Sequence, residues 1–365
     1  MRITFILPTI GLCGGVRCTF ELANRLQDRG HDVSIVYPLV PMRAGAKWYH
    51  LKKSAYRALT TVRNLKRAEQ PNWFDLKANL IRVPTLTERW IPKGDVIVAT
   101  LWATAYYVNS YKRDKGEKFH FVRGYETWSG AVDSVNKSYS LPLRKIVSSS
   151  WLKDLIERKF SCSVLEPLPD GVNFDLFYKE RDGFECHSPK RLGILYRQLE
   201  LKGMQDGLEA FVMAKKKYPN IQLVLFGEEP LRKHMEIVKN IDDIEFNRLL
   251  YKEKLRQLYN SLDIFIFPSH HEGFGDPPME AMACGTAVVT TNVGAVSDYT
   301  VPGKTALVSP PKDPKALGQN IIRLLQDEKE RRRIAESGYN YIKQFTWDKT
   351  TDNLEKIFMK TSKRQ

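Results

Sequence analysis

The sequence predicts an α/β protein built from two doubly wound parallel-sheet domains. Three observations predict this fold. The chain has 365 residues, a length that favours two domains. It opens with a strand, a glycine turn, a helix and a second strand. Prolines and a glycine at residues 165–171 interrupt every periodic pattern, and a second α/β series begins there. The domains are therefore expected at residues 1–168 and 169–346.

The first half of the chain alternates apolar runs with amphipathic segments. Residues 2–8 are predicted as a strand, Gly14-Gly15 as a turn and residues 16–28 as a helix that ends near Gly30. A strand at residues 32–38 completes a βαβ unit with its glycine turn at the first crossover. The later elements predicted in this half are strands at 95–99, 120–123 and 145–148 and a helix at 151–160.

The second half repeats this alternation of apolar runs and helical periods. Its predicted strands lie at 191–195, 221–226 and 263–267. Its predicted helices lie at 205–217, 253–262, 314–327, 329–344 and 347–360. No apolar run reaches 18 residues, so no transmembrane helix is expected. The N-terminal apolar run is short and breaks at Pro8, which favours a first strand over a signal peptide.

Charge and cysteine content limit the classes of partner and compartment. The net charge of +15 is compatible with nucleic acid, an anionic membrane or an anionic substrate. Nucleic-acid binding would also require aromatic platforms or a known module, and the sequence offers neither, so no nucleic-acid partner is expected. The five cysteines form no CxxC pair and are odd in number, which indicates reduced thiols in a cytoplasmic protein.

One basic segment allows two interpretations. Residues 43–67 contain eight Lys/Arg and no Asp/Glu. They also carry an apolar stripe at helical spacing, which comprises Trp48, Leu51, Ala55, Leu59, Val62 and Leu65. Such a helix is able to lie on an anionic membrane, which would place the protein on the inner face of the cell membrane. Alternatively, the stripe packs on the first domain and the cations are its solvated face.

The strongest chemical signal is a pair of carboxylates, Glu272 and Glu280, with seven residues between them. They lie where the apolar run at 263–268 turns into a helix predicted to begin at Pro278, the crevice in which open α/β sheets bind ligands. Glycines in this turn leave backbone N–H groups uncovered for an anion. Ionised carboxylates suit adjacent sugar hydroxyls. Together these features predict a nucleotide-sugar site, whereas the alternative is that both Glu only cap and solubilise a helix.

The full stretch EGFGDPPMEAMACG, followed by GTAVVTTNVGAVSDYTVPGKTALVSPPKDPKAL, resembles the signature of the retaining glycosyltransferases of family 4. The resemblance implies the GT-B fold, in which two Rossmann-like domains face a central cleft and a C-terminal helix, here 347–365, packs back on the first domain. It implies an enzyme that transfers a hexosyl group from a nucleotide-diphosphate sugar to a glycan or lipid-linked glycan in cell-surface polysaccharide synthesis. An epimerase or phosphorylase on the same fold remains an alternative, as does a non-catalytic membrane- or sugar-nucleotide-binding protein.

The resemblance also assigns donor-side roles. Arg197 and Lys202 would hold the diphosphate and stabilise the charge of the departing nucleotide. Glu280 would hold the ribose, and Glu272 would face the transferred sugar. Further donor contacts would come from the amides of Gly273, Phe274 and Gly275, from the Gly14-Gly15 turn and from the backbone of Leu249 and Leu250. Relatives usually carry Gly where this chain has Arg248, which leaves the choice of nucleobase open.

The acceptor side departs from the family pattern. Many relatives have His at the tip of a first-domain strand, and the corresponding residue in FHFVRGYETW is Arg123. Arg123, Tyr125 and Glu126 are therefore the acceptor-side candidates, while His120 is expected to be a core residue. No DxD pair or His/Cys cluster has the spacing of metal ligands. The sequence accordingly predicts an enzyme without cofactor or metal, in which the cations of the second domain take the place of Mg²⁺.

Overall fold

The computed structural model describes residues 1–42, 70–180, 187–228, 234, 236–237, 239 and 242–362. Its contacts divide the chain into two compact units, which we call unit 1 (Met1–Asp170 with Trp347–Gln365) and unit 2 (Gly171–Thr346). The first boundary lies two residues beyond the predicted one. The basic segment at 43–67 lies outside the described residues, so its two interpretations stay open.

Unit 1 contains one six-stranded parallel sheet with the strand order β3-β2-β1-β4-β5-β6. The strands are β1 (Arg2–Ile6), β2 (Asp32–Pro38), β3 (Asn79–Val83), β4 (Val96–Ala99), β5 (Glu117–Val122) and β6 (Arg144–Val147). Its first helices are α1 (Gly14–Asp28), α2 (Trp102–Ser110), α3 (Val132–Tyr139) and α4 (Ser150–Phe160). The order reverses between β1 and β4, as in doubly wound sheets.

Unit 2 repeats this arrangement with the strand order β12-β11-β10-β7-β8-β9. The strands are β7 (Lys190–Tyr196), β8 (Ile221–Gly227), β9 (Ile244–Arg248), β10 (Ile264–Phe267), β11 (Ala287–Thr291) and β12 (Leu307–Ser309). Its helices include α5 (Met204–Lys217), α6 (Glu253–Asn260), α7 (Asp276–Ala283), α8 (Val296–Tyr299), α9 (Pro314–Gln326) and α10 (Glu328–Ile342). Here the order reverses between β7 and β10.

The central strands are buried on both faces, which explains their uninterrupted apolar sequences. All residues of β4 and β10 are buried, with the sequences VIVA and IFIF. Several helices begin at the caps that their sequences supply. Ser149, Asp313 and Asp327 each accept a hydrogen bond from the first turn of the following helix, and Pro314 occupies the first turn of α9. The α/β class with two parallel sheets is thus confirmed.

The last described helix, α11 (Trp347–Ser362), belongs to unit 1 although it follows unit 2 in sequence. Trp347, Leu354 and Phe358 are buried in the core on one face of the unit 1 sheet. The ring of Phe358 lies edge-on to Phe119 of β5, with 5.0 Å between the ring centroids. On its polar face, α11 forms three ion pairs with α1 and the residue after it, which are Arg25–Asp348, Arg29–Asp352 and Arg29–Glu355. The ring of His31 also forms a hydrogen bond with Glu355 at 2.8 Å.

Four strands were not predicted from the sequence. They are β3, β9, β11 and the three-residue β12, and they lie at or next to the edges of the sheets. Short strands at an edge leave little room for an alternating or continuous apolar pattern. Among the described residues, no helix is both long enough and apolar enough to cross a membrane.

His120 lies within β5 and is 1 % exposed. Its ring stacks on that of Tyr139, with centroids 5.9 Å apart. Neither ring nitrogen has a hydrogen-bond partner among the described residues. Burial, and secondarily the charge of Lys145 on the neighbouring strand, lowers the pKa of His120 to about 3. A neutral core imidazole accounts for this position better than a catalytic one.

This histidine predicts a pH-dependent stability. Between the ordinary pKa of 6.5 and about 3, the unfolded chain binds a proton at His120 that the folded chain does not bind. Its contribution to the free energy of unfolding is therefore complete above this range and falls with decreasing pH, by at most about 1.4 kcal/mol per pH unit. His120→Phe should flatten that slope in urea unfolding curves measured from neutral to acidic pH. Equal slopes in the variant and the wild type would contradict the buried neutral state.

Candidate active site

The reversal of strand order in unit 2 brings together the chain segments that follow β7 and β10. The two strands are parallel neighbours, with Ile264 opposite Leu192 and Ile266 opposite Ile194. Their carboxyl ends therefore lie at the same edge of the sheet. Main-chain hydrogen bonds join the segments directly, since the carbonyl of Leu201 accepts from the N–H groups of His270 and His271 at 2.8 and 3.2 Å. Lys202 and Glu272 are the charged residues next to this junction.

Lys202 and Glu272 form an ion pair. The ammonium group of Lys202 lies 2.7 and 2.8 Å from the two carboxylate oxygens of Glu272. The carboxylate side chain is 10 % exposed and the lysine side chain 26 %, so the pair is partly shielded from water. The hydroxyl of Ser269 donates a third hydrogen bond to Oε1 at 2.7 Å. These contacts hold Glu272 as an ionised acceptor beside a cation.

Arg197 lies on the same loop but is paired with a different carboxylate. Its Nη1 is 3.3 Å from Oε1 of Glu228, which follows β8. The other oxygen of Glu228 accepts from the main-chain N–H of Gln198 at 2.8 Å. Both side chains are about a third exposed, and exposed pairs of this kind are weak, typically below about 1 kcal/mol. Sequence reasoning missed Glu228 because no local pattern connects it with Arg197, 31 residues earlier.

Glu280 lies on α7 and is 3 % exposed. Its Oε2 accepts a hydrogen bond from the phenol of Tyr259 on α6 at 3.2 Å. Burial, followed by the charge of Glu280, raises the pKa of the nearby Cys284 thiol. That thiol therefore stays protonated and unreactive. Glu280 is thus a buried carboxylate in the helix that begins at the glycine loop.

The loop Gly273-Phe274-Gly275 is tightly packed. Phe274 is buried against Tyr299, with ring centroids 5.6 Å apart, and the Tyr299 phenol donates to the carbonyl of Gly275 at 2.9 Å. Burial, then the charge of Glu272, raises the pKa of that phenol, which keeps it a neutral donor. Gly275 has φ of +95° and precedes α7. A side chain there would strain the backbone, so the glycine fixes the entry into the helix.

The remaining donor-side candidates lie at carboxyl ends of strands in their own units. Leu249 and Leu250 follow β9, where Leu249 is 39 % exposed and Leu250 packs against the core. In unit 1, Gly14 and Gly15 form the start of α1, after β1. Neither has a positive φ, and a Cβ on Gly15 would meet no atom within 4 Å. The fold of the chain itself therefore does not require glycine at position 15.

Of the three acceptor-side candidates, Arg123 and Tyr125 are engaged within unit 1. The Arg123 guanidinium forms a bidentate ion pair with Asp170, and its side chain is 9 % exposed. Its Nη2 also donates to the Cys18 thiol at 2.9 Å. The Tyr125 phenol accepts from Lys159 at 2.5 Å and donates to Asn136 at 2.9 Å. Both side chains thus have structural partners at the end of β5.

Glu126 differs from these two neighbours. Its Oε2 accepts the main-chain N–H of Trp102 at the start of α2, at 3.0 Å. Burial raises its pKa to about 7, against the lowering effects of that hydrogen bond and of Arg123. Two residues away, Trp128 is 50 % exposed, which is unusual for so large an apolar ring. Trp128 was not among the candidates from the sequence, although an exposed aromatic residue after a strand is a signal for binding.

Comparisons with known proteins identify relatives of this chain. Residues 182–341 match the family described as Glycosyl transferases group 1. The capsular polysaccharide biosynthesis glycosyltransferase CapM of Staphylococcus aureus is 27 % identical over 254 residues, which cover 64 % of this chain and 63 % of CapM. The chain thus spans less than two thirds of the length of this curated relative.

Solved structures show the same fold over the whole chain. Sucrose-phosphate synthase from Thermosynechococcus elongatus superposes with a TM-score of 0.75 at 17 % identity and covers 100 % of both chains. HepE of Anabaena, solved in complex with UDP-glucose, superposes with a TM-score of 0.74 at 13 % identity, covering 99 % of this chain and 100 % of HepE. The fold is therefore GT-B, and residues 182–341 form a group 1 glycosyl transferase domain.

Proposed function

We propose that the protein is a retaining glycosyltransferase. It would transfer a sugar from a nucleoside-diphosphate sugar to a hydroxyl of a glycan or lipid-linked glycan in cell-surface polysaccharide synthesis. The observation that carries the proposal is the Lys202–Glu272 pair at the strand reversal of unit 2, with Arg197 on the same loop. The role of CapM in capsular polysaccharide biosynthesis supports the polysaccharide setting. UDP-glucose, the ligand in the HepE structure, is the first donor to test.

In this proposal, transfer depends more on cations that stabilise the departing diphosphate than on a general base of the protein. Lys202 uses two hydrogen-bond contacts on Glu272, and its ammonium group has three N–H donors in all. One donor is therefore left for the diphosphate. The exposed guanidinium of Arg197 can exchange Glu228 for phosphate oxygens at little cost. Together they would stabilise the departing nucleotide, whose diphosphate would take the proton of the acceptor on the face that it leaves.

The carboxylates would hold the sugars of the donor. Glu272 is ionised beside Lys202 and would accept a hydroxyl of the transferred sugar. The buried Glu280 would accept from the ribose. In this account neither Glu acts as a nucleophile or a general base. The amides of Gly273, Phe274 and Gly275 and the Gly14-Gly15 turn stay proposed phosphate and sugar contacts, and Leu249 and Leu250 stay the proposed nucleobase contacts.

The acceptor would bind to unit 1 at Glu126 and Trp128. Arg123 and Tyr125 have side-chain partners inside the unit, so they would shape this site. Glu126, whose Oε2 accepts from the main-chain N–H of Trp102, would make the polar contact. An exposed indole provides a flat apolar surface for a sugar ring, and a carboxylate orients a hydroxyl. The membrane contact expected of residues 43–67 would bring a lipid-linked acceptor to the enzyme, and it remains a proposal.

We expect donor binding and turnover to depend on different residues of unit 2. A thermal-shift screen of nucleoside diphosphates and their sugars identifies the donor, since a ligand at 100 times its Kd adds about 2.7 kcal/mol of stability. Lys202→Ala or Arg197→Ala should then lower kcat by about 100-fold or more, the scale of a lost charge stabiliser. Glu280→Ala should weaken nucleotide binding. Lys216→Ala, an exposed lysine near the end of α5, is the matched control. Unchanged kinetics in all three site variants would refute the assignment.

Transfer should not require a metal ion. The reason is that Lys202 and Arg197 supply the positive charge that a divalent cation would otherwise bring to the diphosphate. Activity measured after treatment with EDTA, followed by gel filtration, should equal that of the untreated enzyme. Loss of activity that Mg²⁺ or Mn²⁺ restores would show that the cations of the chain are not sufficient.

Acceptor affinity should depend on Glu126, Trp128 and pH. Because Glu126 has a pKa of about 7 and its ionised form is the better acceptor, the KM for the acceptor should fall as pH rises through this value. Glu126→Gln should raise this KM and remove its pH dependence, and Trp128→Ala should raise it without changing slow donor hydrolysis. Trp90→Ala, a variant of another exposed tryptophan of unit 1, is the control. Equal acceptor KM values in all these enzymes would place the acceptor elsewhere.

A further inference from the structure

Ser269 is a buried polar residue that the proposed reaction has not yet used. It lies two residues after β10 and three before Glu272, and it is 1 % exposed. Its hydroxyl donates to Oε1 of Glu272 at 2.7 Å. When a buried serine donates its hydroxyl hydrogen to a carboxylate, it stabilises the charged form of the carboxylate and fixes the orientation of that group. Ser269 therefore acts on the carboxylate that would face the sugar.

The hydrogen bonds on Glu272 leave its two oxygens in different states. Oε1 accepts from Ser269 and from Lys202, both at 2.7 Å, whereas among the described residues Oε2 accepts from Lys202 alone, at 2.8 Å. An ionised carboxylate has about four acceptor positions, two on each oxygen. Oε1 is thus filled, and Oε2 retains one position. Glu272 would therefore accept one hydroxyl at Oε2, rather than grip two adjacent hydroxyls as the sequence suggested.

The main chain that carries Ser269 and Glu272 is clamped on two sides. Thr291, at the end of β11, donates its hydroxyl to the carbonyl of Ser269 at 2.5 Å. Gly294 has φ of +55°, and a Cβ there would lie 2.4 Å from the carbonyl oxygen of Glu272. Gly203 packs in the same way, since its Cβ would lie 2.0 Å from the carbonyl oxygen of Pro268. Such close backbone contacts leave the loop little freedom to reorient the carboxylate.

We propose that Ser269 is a positioning residue that occupies Oε1 of Glu272 and leaves Oε2 as the single acceptor for one hydroxyl of the transferred sugar. The inference rests on the proposed function and specifies it.

The test compares Ser269→Ala with Ser261→Ala, a serine of the same unit at the end of α6 whose hydroxyl donates only to the carbonyl of Leu258. Ser269→Ala should lower kcat/KM for the nucleotide sugar by about 10- to 100-fold, the scale of a hydrogen bond to a charged group. It should leave the Kd of the free nucleoside diphosphate unchanged.

Monodeoxy analogues of the donor sugar test the single contact. In the wild type, removal of one particular hydroxyl should cost at least about 10-fold in kcat/KM, and this penalty should shrink in Ser269→Ala. Thr291→Val removes the hydrogen bond to the carbonyl of Ser269. It should lower kcat/KM and reduce the deoxy-sugar penalty in the same way, but by a smaller factor. It provides the second variant if Ser269→Ala does not fold.

Three results would overturn the inference. The first is a wild-type kcat/KM in Ser269→Ala, and the second is an equal penalty for two different deoxy positions. The third is a loss of nucleoside-diphosphate affinity that matches the loss in kcat/KM, which would indicate a merely structural role. A wild-type enzyme that transfers sugar from no nucleotide sugar would instead refute the proposed function, and the inference with it.

Discussion

The reversal of strand order between β7 and β10 is the constraint on which the candidate site depends. At that point, two neighbouring parallel strands send their chains to opposite faces of the sheet, so the segments after them diverge and leave a crevice. Lys202 comes from one segment and Glu272 from the other, 70 residues later. The two side chains lie within hydrogen-bonding distance only because both segments start at the same edge of the sheet. The hydrogen bonds from His270 and His271 to Leu201 then fix the distance between the two segments.

The two cationic side chains of the site form ion pairs that differ in how far water reaches them. The Lys202–Glu272 pair is mostly shielded, whereas the Arg197–Glu228 pair is about a third exposed. An anionic ligand can therefore recruit Arg197 easily, while Lys202 is better suited to share its donors between carboxylate and ligand. Burial raises the pKa values of the Tyr299 phenol and the Cys284 thiol, so both groups stay neutral. The charged groups at this edge of the sheet are therefore those that have a charge partner or would bind a ligand.

How much could be predicted from the sequence depended on whether the signal was local. The apolar run before Glu272 and the glycines after it lie within about a dozen residues, and they correctly predicted a strand, a turn and a helix. Glu228 and Thr291 could not be predicted, because their contacts join segments about 20 to 30 residues apart. Arg123 had the expected place at the end of β5, yet its partner Asp170 lies 47 residues away. Local patterns identify what a residue is able to do, and the packing decides which partner it meets.

The position of α11 has a consequence for the order in which the chain acquires structure during synthesis. Unit 1 is discontinuous in sequence, because Trp347, Leu354 and Phe358 complete a core whose other members lie before residue 171. Unit 2 is continuous in sequence, so all its strands are synthesised before the last helix of unit 1. Part of the apolar face of the unit 1 sheet therefore remains uncovered until α11 has been synthesised, after all of unit 2. During this period the nascent chain exposes apolar surface that can bind chaperones or aggregate. The folded protein no longer exposes this surface.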